Sequence, residues 1–187
     1  YAQWTVGQTP TPIAEENGEQ VFHIFTGIDT DKQILQPVLT WNCFYNNNDA
    51  RRNPKADKNR WSISSHIDAP FWNVHSQSIF VSDGSTISGE VAWVDNHWEI
   101  TTSDIGWVTN SKTSLNSIEH RDTKAIGNPP PGSNPIVAFT LEKFAATEYP
   151  GNKTAHKHWT RKHWPDEIEF SNIKVDPPES ILEKHYT

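Results

Sequence analysis

The sequence predicts an all-β protein, a sandwich of two antiparallel sheets of the jelly-roll type. Short β-rich runs recur between turn signals, and no long segment keeps the 3.6-residue apolar period of a helix. Eight such runs at this spacing are typical of two packed sheets. The predicted strands are residues 20–28, 33–42, 60–67, 77–82, 86–94, 97–103, 135–146 and 167–175.

Two segments between these strands carry turn signals. Val94-Asp95-Asn96-His97 separates two Trp-bearing runs, and Ser82-Asp83-Gly84-Ser85 precedes the first of these two runs. Asp, Asn, Gly and Ser are favoured in turns because they tolerate unusual backbone angles or bond their own backbone. Both segments are therefore predicted to be hairpin turns.

Two distant strands each place one functional side chain among apolar ones. Successive side chains of a strand point to opposite faces. In the run 33–42 the apolar face carries Leu35, Leu39 and Trp41, which leaves Gln36 on the other face. In the run 135–146 we expect Val137, Phe139 and Leu141 in the core and Ala138, Thr140 and Glu142 on the other face. Gln36 and Glu142 are therefore predicted to face one concave surface.

Four segments lack strand character. Residues 1–19 are predicted to run as an arm across a sheet edge, residues 46–59 form a polar loop, and residues 104–134 form a long connection. Residues 147–166 form a basic segment that contains Trp159, Lys162 and Trp164. This segment is either a solvated loop that covers a sheet edge or a rim that holds an anionic or sugar-containing ligand.

Composition narrows the class of partner. A net charge of −7 argues against a nucleic-acid binder, and no apolar run is long enough to span a membrane. The single Cys43 excludes an internal disulfide, and the histidine spacings predict no metal site. Because the sequence begins at Tyr1 and is rich in Trp, we expect a mature, secreted protein. Asn152-Lys153-Thr154 fits an N-glycosylation acceptor.

Two runs of the sequence resemble motifs of a known family. Gly27-Ile28-Asp29-Thr30 followed by Gln33-Ile34-Leu35-Gln36 is similar to a run of the fungal glutamic peptidases, the eqolisins, that ends in the catalytic Gln of that family. Phe139-Thr140-Leu141-Glu142 is similar to the run that ends in its catalytic Glu. Trp61 begins a strand similar to the family's Trp-rich strand and is therefore a possible groove or substrate-binding residue. The family's Glu four positions before the catalytic one corresponds to Ala138.

The resemblance implies a concanavalin A-like jelly roll and an acid hydrolase. Glu142 would take a proton from water and return it to the leaving amine, and Gln36 would stabilise the oxyanion. On this basis we expect one domain over residues 1–187, a monomer that needs no cofactor and acts on a polymeric substrate.

Two other functions use the same surface. A polysaccharide lyase would neutralise a uronic-acid carboxylate with Gln36 and remove the C5 proton with His66 or His23. A carbohydrate-binding module would instead stack sugars on exposed tryptophans such as Trp72, Trp93, Trp98 and Trp107.

Overall fold

The described part of the chain is built from strands. The computed structural model describes residues 1–7, 20–30, 33–45, 60–69, 72–95, 97–106, 111–116, 136–145 and 168–175, and these contain no helix that could cross a membrane. The strands are β1 (Ala2–Thr5), β2 (Gln20–Thr30), β3 (Gln33–Trp41), β4 (Trp61–Ala69), β5 (Trp72–His75), β6 (Ile79–Val81), β7 (Thr86–Val94), β8 (His97–Asp104), β9 (Lys112–Asn116), β10 (Ile136–Ala145) and β11 (Phe170–Ser171).

The strands form two antiparallel sheets, which confirms the predicted sandwich. One sheet has the order β11-β1-β7-β8-β9. The other has the order β10-β2-β3-β4-β5, with β6 paired to β4 beyond the end of β5. Long chain separations between neighbours, such as β10 beside β2, mean that distant sequence segments meet in one sheet.

The inner faces of the two sheets form the core. Leu39, Trp41, Trp61 and Ile63 of the six-stranded sheet pack with Trp4 and Ile87 of the five-stranded sheet. A second cluster joins Leu35 and Ile67 to Trp98, Ile100 and Leu115. Burial of large aromatic side chains supplies most of the apolar contact in a core of this size.

Buried hydroxyl groups also link the two sheets. The hydroxyls of Ser65 on β4 and Thr102 on β8 lie 3.0 Å apart, and Thr102 donates to the Ser64 carbonyl at 2.9 Å. Ser65 also donates to the Thr113 carbonyl on β9 at 3.2 Å. Since buried polar groups are stable only when they are bonded, these contacts fix the alignment of the sheets.

Several sequence expectations need correction. The arm expected over residues 1–19 contains β1, which pairs between β7 and β11 rather than crossing an edge. The connection expected over 104–134 contains β9, and β5 was not predicted. The turn at Val94–His97 is confirmed as a hairpin, whereas Ser82–Ser85 links β6 of one sheet to β7 of the other. Short strands with little apolar content carry too weak a period to be recognised.

The expected core face of β10 is only partly buried. Val137 and Phe139 are 40% and 42% exposed, although Phe139 contacts Phe170 with ring centroids 5.1 Å apart. β10 lies at an edge of its sheet, so its side chains have neighbours on one side only. The expectation that Val137 and Phe139 are core residues is therefore wrong, and the side chain of Leu141 lies outside the described atoms.

Gly89 lies where the two sheets approach each other closely. A Cβ atom at this position would lie 2.5 Å from Cγ of Pro37 and 2.8 Å from Cη2 of Trp4. We expect Gly89→Ala to lower the free energy of unfolding by about 1–3 kcal/mol in urea titrations, because overpacking shifts both neighbours. Gly7→Ala is the control, since nothing lies within 4 Å of a Cβ there. Equal stability of the two variants would contradict this close approach.

Candidate functional site

The outer face of the six-stranded sheet, which points away from the other sheet, is unusually polar and buried. Alternation along β3 and β4 directs Leu35, Leu39, Ile63 and Ile67 inward and leaves polar side chains outside. The buried polar residues of this outer face are Gln36, Thr40, Ser62, Ser64, His66 and His75. Buried polar side chains on a sheet face are typical of a functional surface rather than of a solvated one.

Gln36 lies in a row that crosses four strand pairs. The sheet register sets it opposite His66 on β4, which is itself opposite His75 on β5. On the other side, Gly27 of β2 pairs with Ala138 of β10 in the same row. Gln36 is 4% exposed and His66 is 1% exposed, so their polar groups act in a low-dielectric environment.

Tyr45 lies against the histidines of this row. The chain leaves β3 at Asn42, whose φ of 58° is a left-handed conformation that Asn tolerates better than most residues. Tyr45 then pairs with Ser78 through both of its backbone groups. Its ring stacks on His75 at 4.2 Å and meets the edge of His66 at 4.9 Å between centroids.

His23 of β2 completes the ring cluster. Its ring centroid lies 6.0 Å from that of His66 and 6.4 Å from that of Tyr45. His23 is half-buried, and so it is more accessible than His66. The cluster therefore offers a buried imidazole pair and a more exposed imidazole beside a phenol.

The buried imidazoles are neutral at pH 7. Burial, and then the neighbouring His75 and His23, hold the pKa of His66 well below the usual 6.5. Burial alone lowers the pKa of His75 to about 4. The Ser64 hydroxyl lies 2.6 Å from Nε2 of His66 and fixes the orientation of that ring.

Glu142 lies on the same face as Gln36 but not in its row. Its backbone pairs with His23, four residues along β10 from Ala138, and its side chain is outside the described atoms. In a flat sheet this offset corresponds to about 13 Å along the strand and about 10 Å across two strand spacings, or roughly 16 Å between Cα atoms. Phe25, on β2, occupies the row between them.

Gly27 carries no side chain at the position beside Gln36 in this row. A Cβ atom there would lie 2.8 Å from the Leu35 carbonyl oxygen and 3.6 Å from Cγ of Gln36. With Ala138 next in the row, the two positions between Gln36 and the sheet edge carry almost no side chain. A glycine inside a strand commonly marks such a close approach of backbone or ligand.

Other residues proposed from the sequence lie elsewhere. Trp61 is 1% exposed and packs on Trp41 in the core, so it does not belong to the outer face. Trp98 is buried in the second core cluster, although the binding-module hypothesis requires it to be exposed; Trp93 is exposed. Trp159, Lys162, Trp164 and Asn152 lie outside the described residues, as do Trp107 and the side chain of Trp72.

Three candidate functional residues on this face, Tyr45, His75 and Asp68, were not predicted from the sequence. Tyr45 follows a strand rather than lying in one, and His75 belongs to the four-residue β5. Asp68 lies two residues from His66, hence on the same face. One oxygen of Asp68 and one ring nitrogen each of His66 and His75 lie within 4.8 Å of one another. The apolar–polar alternation in Trp72-Asn73-Val74-His75 is the pattern that could have identified His75. It is too short to assign a strand.

Comparisons with known proteins give one weak neighbour. No protein-family model and no curated protein sequence matches the chain. Among solved structures, it is similar to a crystal structure of scytalido-glutamic peptidase with a transition state analog inhibitor, with a TM-score of 0.37 and 18% identity. The match covers 62% of this chain and 53% of that chain, about half of the neighbour's length. At this level the likeness carries no argument about activity.

The neutral imidazoles should make stability depend on pH. The unfolded chain regains a pKa near 6.5 for His75, so between this value and about 4 it binds more protons than the folded chain. The free energy of unfolding should therefore fall as pH is lowered through this window, by roughly 3 kcal/mol from His75. Urea unfolding at several pH values checks this, with EDTA present so that bound ions do not contribute.

Two variants separate His75 from other histidines. His75→Gln should flatten the pH dependence, whereas His97→Gln, which removes a ring bonded to Glu99 at 3.1 Å on the other sheet, should retain it. Identical slopes in the wild type and in both variants would show that His75 is not buried in the neutral form.

Proposed function

We propose that the chain is a hydrolase of the glutamic-peptidase type, with its active site on the outer face of the six-stranded sheet. The observation that carries the proposal is that Gln36 and Glu142, 106 residues apart in sequence, belong to the same face of one sheet. The small residues Gly27 and Ala138, which lie in the same row as Gln36, support it because they place no large side chain beside that amide. We include secretion, a monomeric state and a polymeric substrate in this proposal.

Two side chains can span the diagonal separation between the strand positions of Gln36 and Glu142. His23 and His66 are related by the same offset, two strands and four residues in the same direction. Their ring centroids nevertheless lie 6.0 Å apart. Two side chains on this face can therefore approach each other along that diagonal.

The chemistry follows from the two groups. Glu142 accepts a proton from the attacking water and later returns it to the leaving amine. The Gln36 side-chain N–H donates to the oxyanion that develops on the carbonyl. Because Gln36 is nearly fully buried, its dipole is held in place before the reaction and is little screened by water.

Substitution of the two residues tests the hydrolase. New amines released from denatured protein should depend on both residues over an acid-to-neutral pH series. Gln36→Ala should lower kcat by about 10²–10³-fold, as the loss of an oxyanion donor does. Glu142→Gln should lower it by about 10²–10⁴-fold through loss of the base. Circular dichroism should show that both variants remain folded.

Exposed residues of the same types provide matched controls. Glu90→Gln changes an exposed carboxyl on β7 of the other sheet, Gln77→Ala changes an exposed amide between β5 and β6, and both variants should keep full activity. Amine release that survives Glu142→Gln would rule out the glutamic-type mechanism.

A second candidate is a polysaccharide lyase, which the ring cluster beside Gln36 favours. Gln36 would bind the uronic-acid carboxylate, and half-buried His23 would remove the C5 proton. The glycosidic bond at C4 would then break, the leaving oxygen would take up a proton, and a C4–C5 double bond would form. His66 is a poorer base because its Nε2 already lies 2.6 Å from the Ser64 hydroxyl.

The products separate the two candidates. A lyase produces an unsaturated sugar that absorbs in the ultraviolet, with no release of amines, and His23→Ala should lower its rate by about 10²–10⁴-fold. Absorbance growth on polyuronates would replace the hydrolase proposal. Absence of turnover together with binding to polysaccharide would favour the binding-module hypothesis.

A further inference from the structure

Three side chains on the outer face have the composition of a metal site. His66 and Asp68 alternate outward along β4, and His75 lies directly opposite His66 on β5. Their nearest ligand atoms, two imidazole nitrogens and one carboxylate oxygen, lie within 4.8 Å of one another. The histidine rings meet nearly perpendicular, with centroids 4.3 Å apart and 77° between their planes.

An unsatisfied nitrogen independently points to a ligand at this place. Nδ1 of His75 is buried and has no hydrogen-bond partner in the described ranges of the chain. His75 itself is 7% exposed, so bulk water does not satisfy the nitrogen. A buried polar atom without a partner is unfavourable by about 1–3 kcal/mol unless a ligand satisfies it.

We propose that His66, Asp68 and His75 bind a divalent transition metal ion of the Zn²⁺ class. Imidazole and carboxylate are ligands that Zn²⁺ binds at about 2.0–2.2 Å, whereas Ca²⁺ and Mg²⁺ prefer oxygen alone. Tetrahedral ligands at these lengths lie about 3.3 Å apart. The distance between any two of these atoms must therefore shorten by at most about 1.5 Å. Side-chain rotation can supply this movement.

The surroundings of the three residues suit such a site. Ser64 bonds Nε2 of His66 at 2.6 Å, and Tyr45 stacks on His75 at 4.2 Å between ring centroids. Contacts of this kind orient metal ligands in proteins. Three protein ligands leave a further coordination position, as in catalytic rather than purely structural zinc sites. Because Gln36 pairs with His66, the site would lie beside the strand position of the residue proposed to contact substrate.

The metal site does not depend on the hydrolase or lyase proposals. It uses neither Gln36 nor Glu142, and it is tested by binding rather than by turnover. Loss of activity in Glu142→Gln with intact metal binding would support both proposals, whereas absent activity with intact metal binding would overturn only the hydrolase.

Zn²⁺ and Co²⁺ are the probes for the test. After dialysis against EDTA, the full chain should bind one Zn²⁺ per molecule in calorimetric titration, with a rise in Tm. Co²⁺ should give visible absorption bands that Zn²⁺ abolishes. Asp68→Asn and His75→Ala should each weaken Zn²⁺ binding by more than about 100-fold, since even outer-shell partners contribute roughly 10- to 100-fold. Asp68→Asn preserves side-chain shape and keeps the test valid if His75→Ala unfolds.

Two controls exclude binding by other histidines. His97→Ala removes a histidine that bonds the Glu99 carboxylate at 3.1 Å on the other sheet. A His158→Ala and His163→Ala double variant alters the basic segment, where three histidines fall within eight residues of sequence. Both controls should bind Zn²⁺ like the wild type. No saturable binding, or binding that is lost only in the double variant, would overturn the proposal.

Discussion

The register between β3 and β4 is the constraint on which the rest of the structure depends. It pairs Leu35 with Ile67 on the inner face and Gln36 with His66 on the outer face. Because side chains alternate along a strand, a slip of one residue would bury the polar set in the core and expose the apolar set. The hydroxyl bonds from Ser65 to β8 and β9 hold the same register from the inner side. One pairing thus determines both the core and the candidate site.

Much of this arrangement follows from local patterns in the sequence. Alternation in the β3 segment is strong enough to assign Gln36 to the face opposite Leu35 and Leu39, and the same reasoning assigns His66 and His23 to outward positions. The pairing of strands, by contrast, could not be predicted from local patterns. β10 joins β2 across more than a hundred residues, and nothing local specifies that Glu142 pairs with His23 rather than with Gly27. Trp61 was misassigned because an aromatic residue at the start of a strand suits a core and a binding surface equally.

The buried histidines limit the conditions under which this surface can work. An acid hydrolase needs a fold that survives at low pH, yet protonation of His66 and His75 would place two positive charges within one small buried volume. His75, with a pKa of about 4, sets the lower end of the range in which the cluster stays neutral. The proposed catalysis by Gln36 and Glu142 would therefore be confined to mildly acidic rather than strongly acidic conditions, unless contacts elsewhere compensate the loss of stability.

A metal ion and protons compete for the same imidazole nitrogens, so the proposed metal binding depends on pH. Metal binding requires neutral histidines and an ionised Asp68, and it weakens as the solution becomes acidic. The proposed general base Glu142 must also be ionised, and such a base works best when its own pKa lies near the working pH. His66 connects the two, since it is opposite Gln36 and also part of the proposed metal site. A substrate held by Gln36 would thus lie beside a metal near neutral pH and beside two unligated histidines in acid.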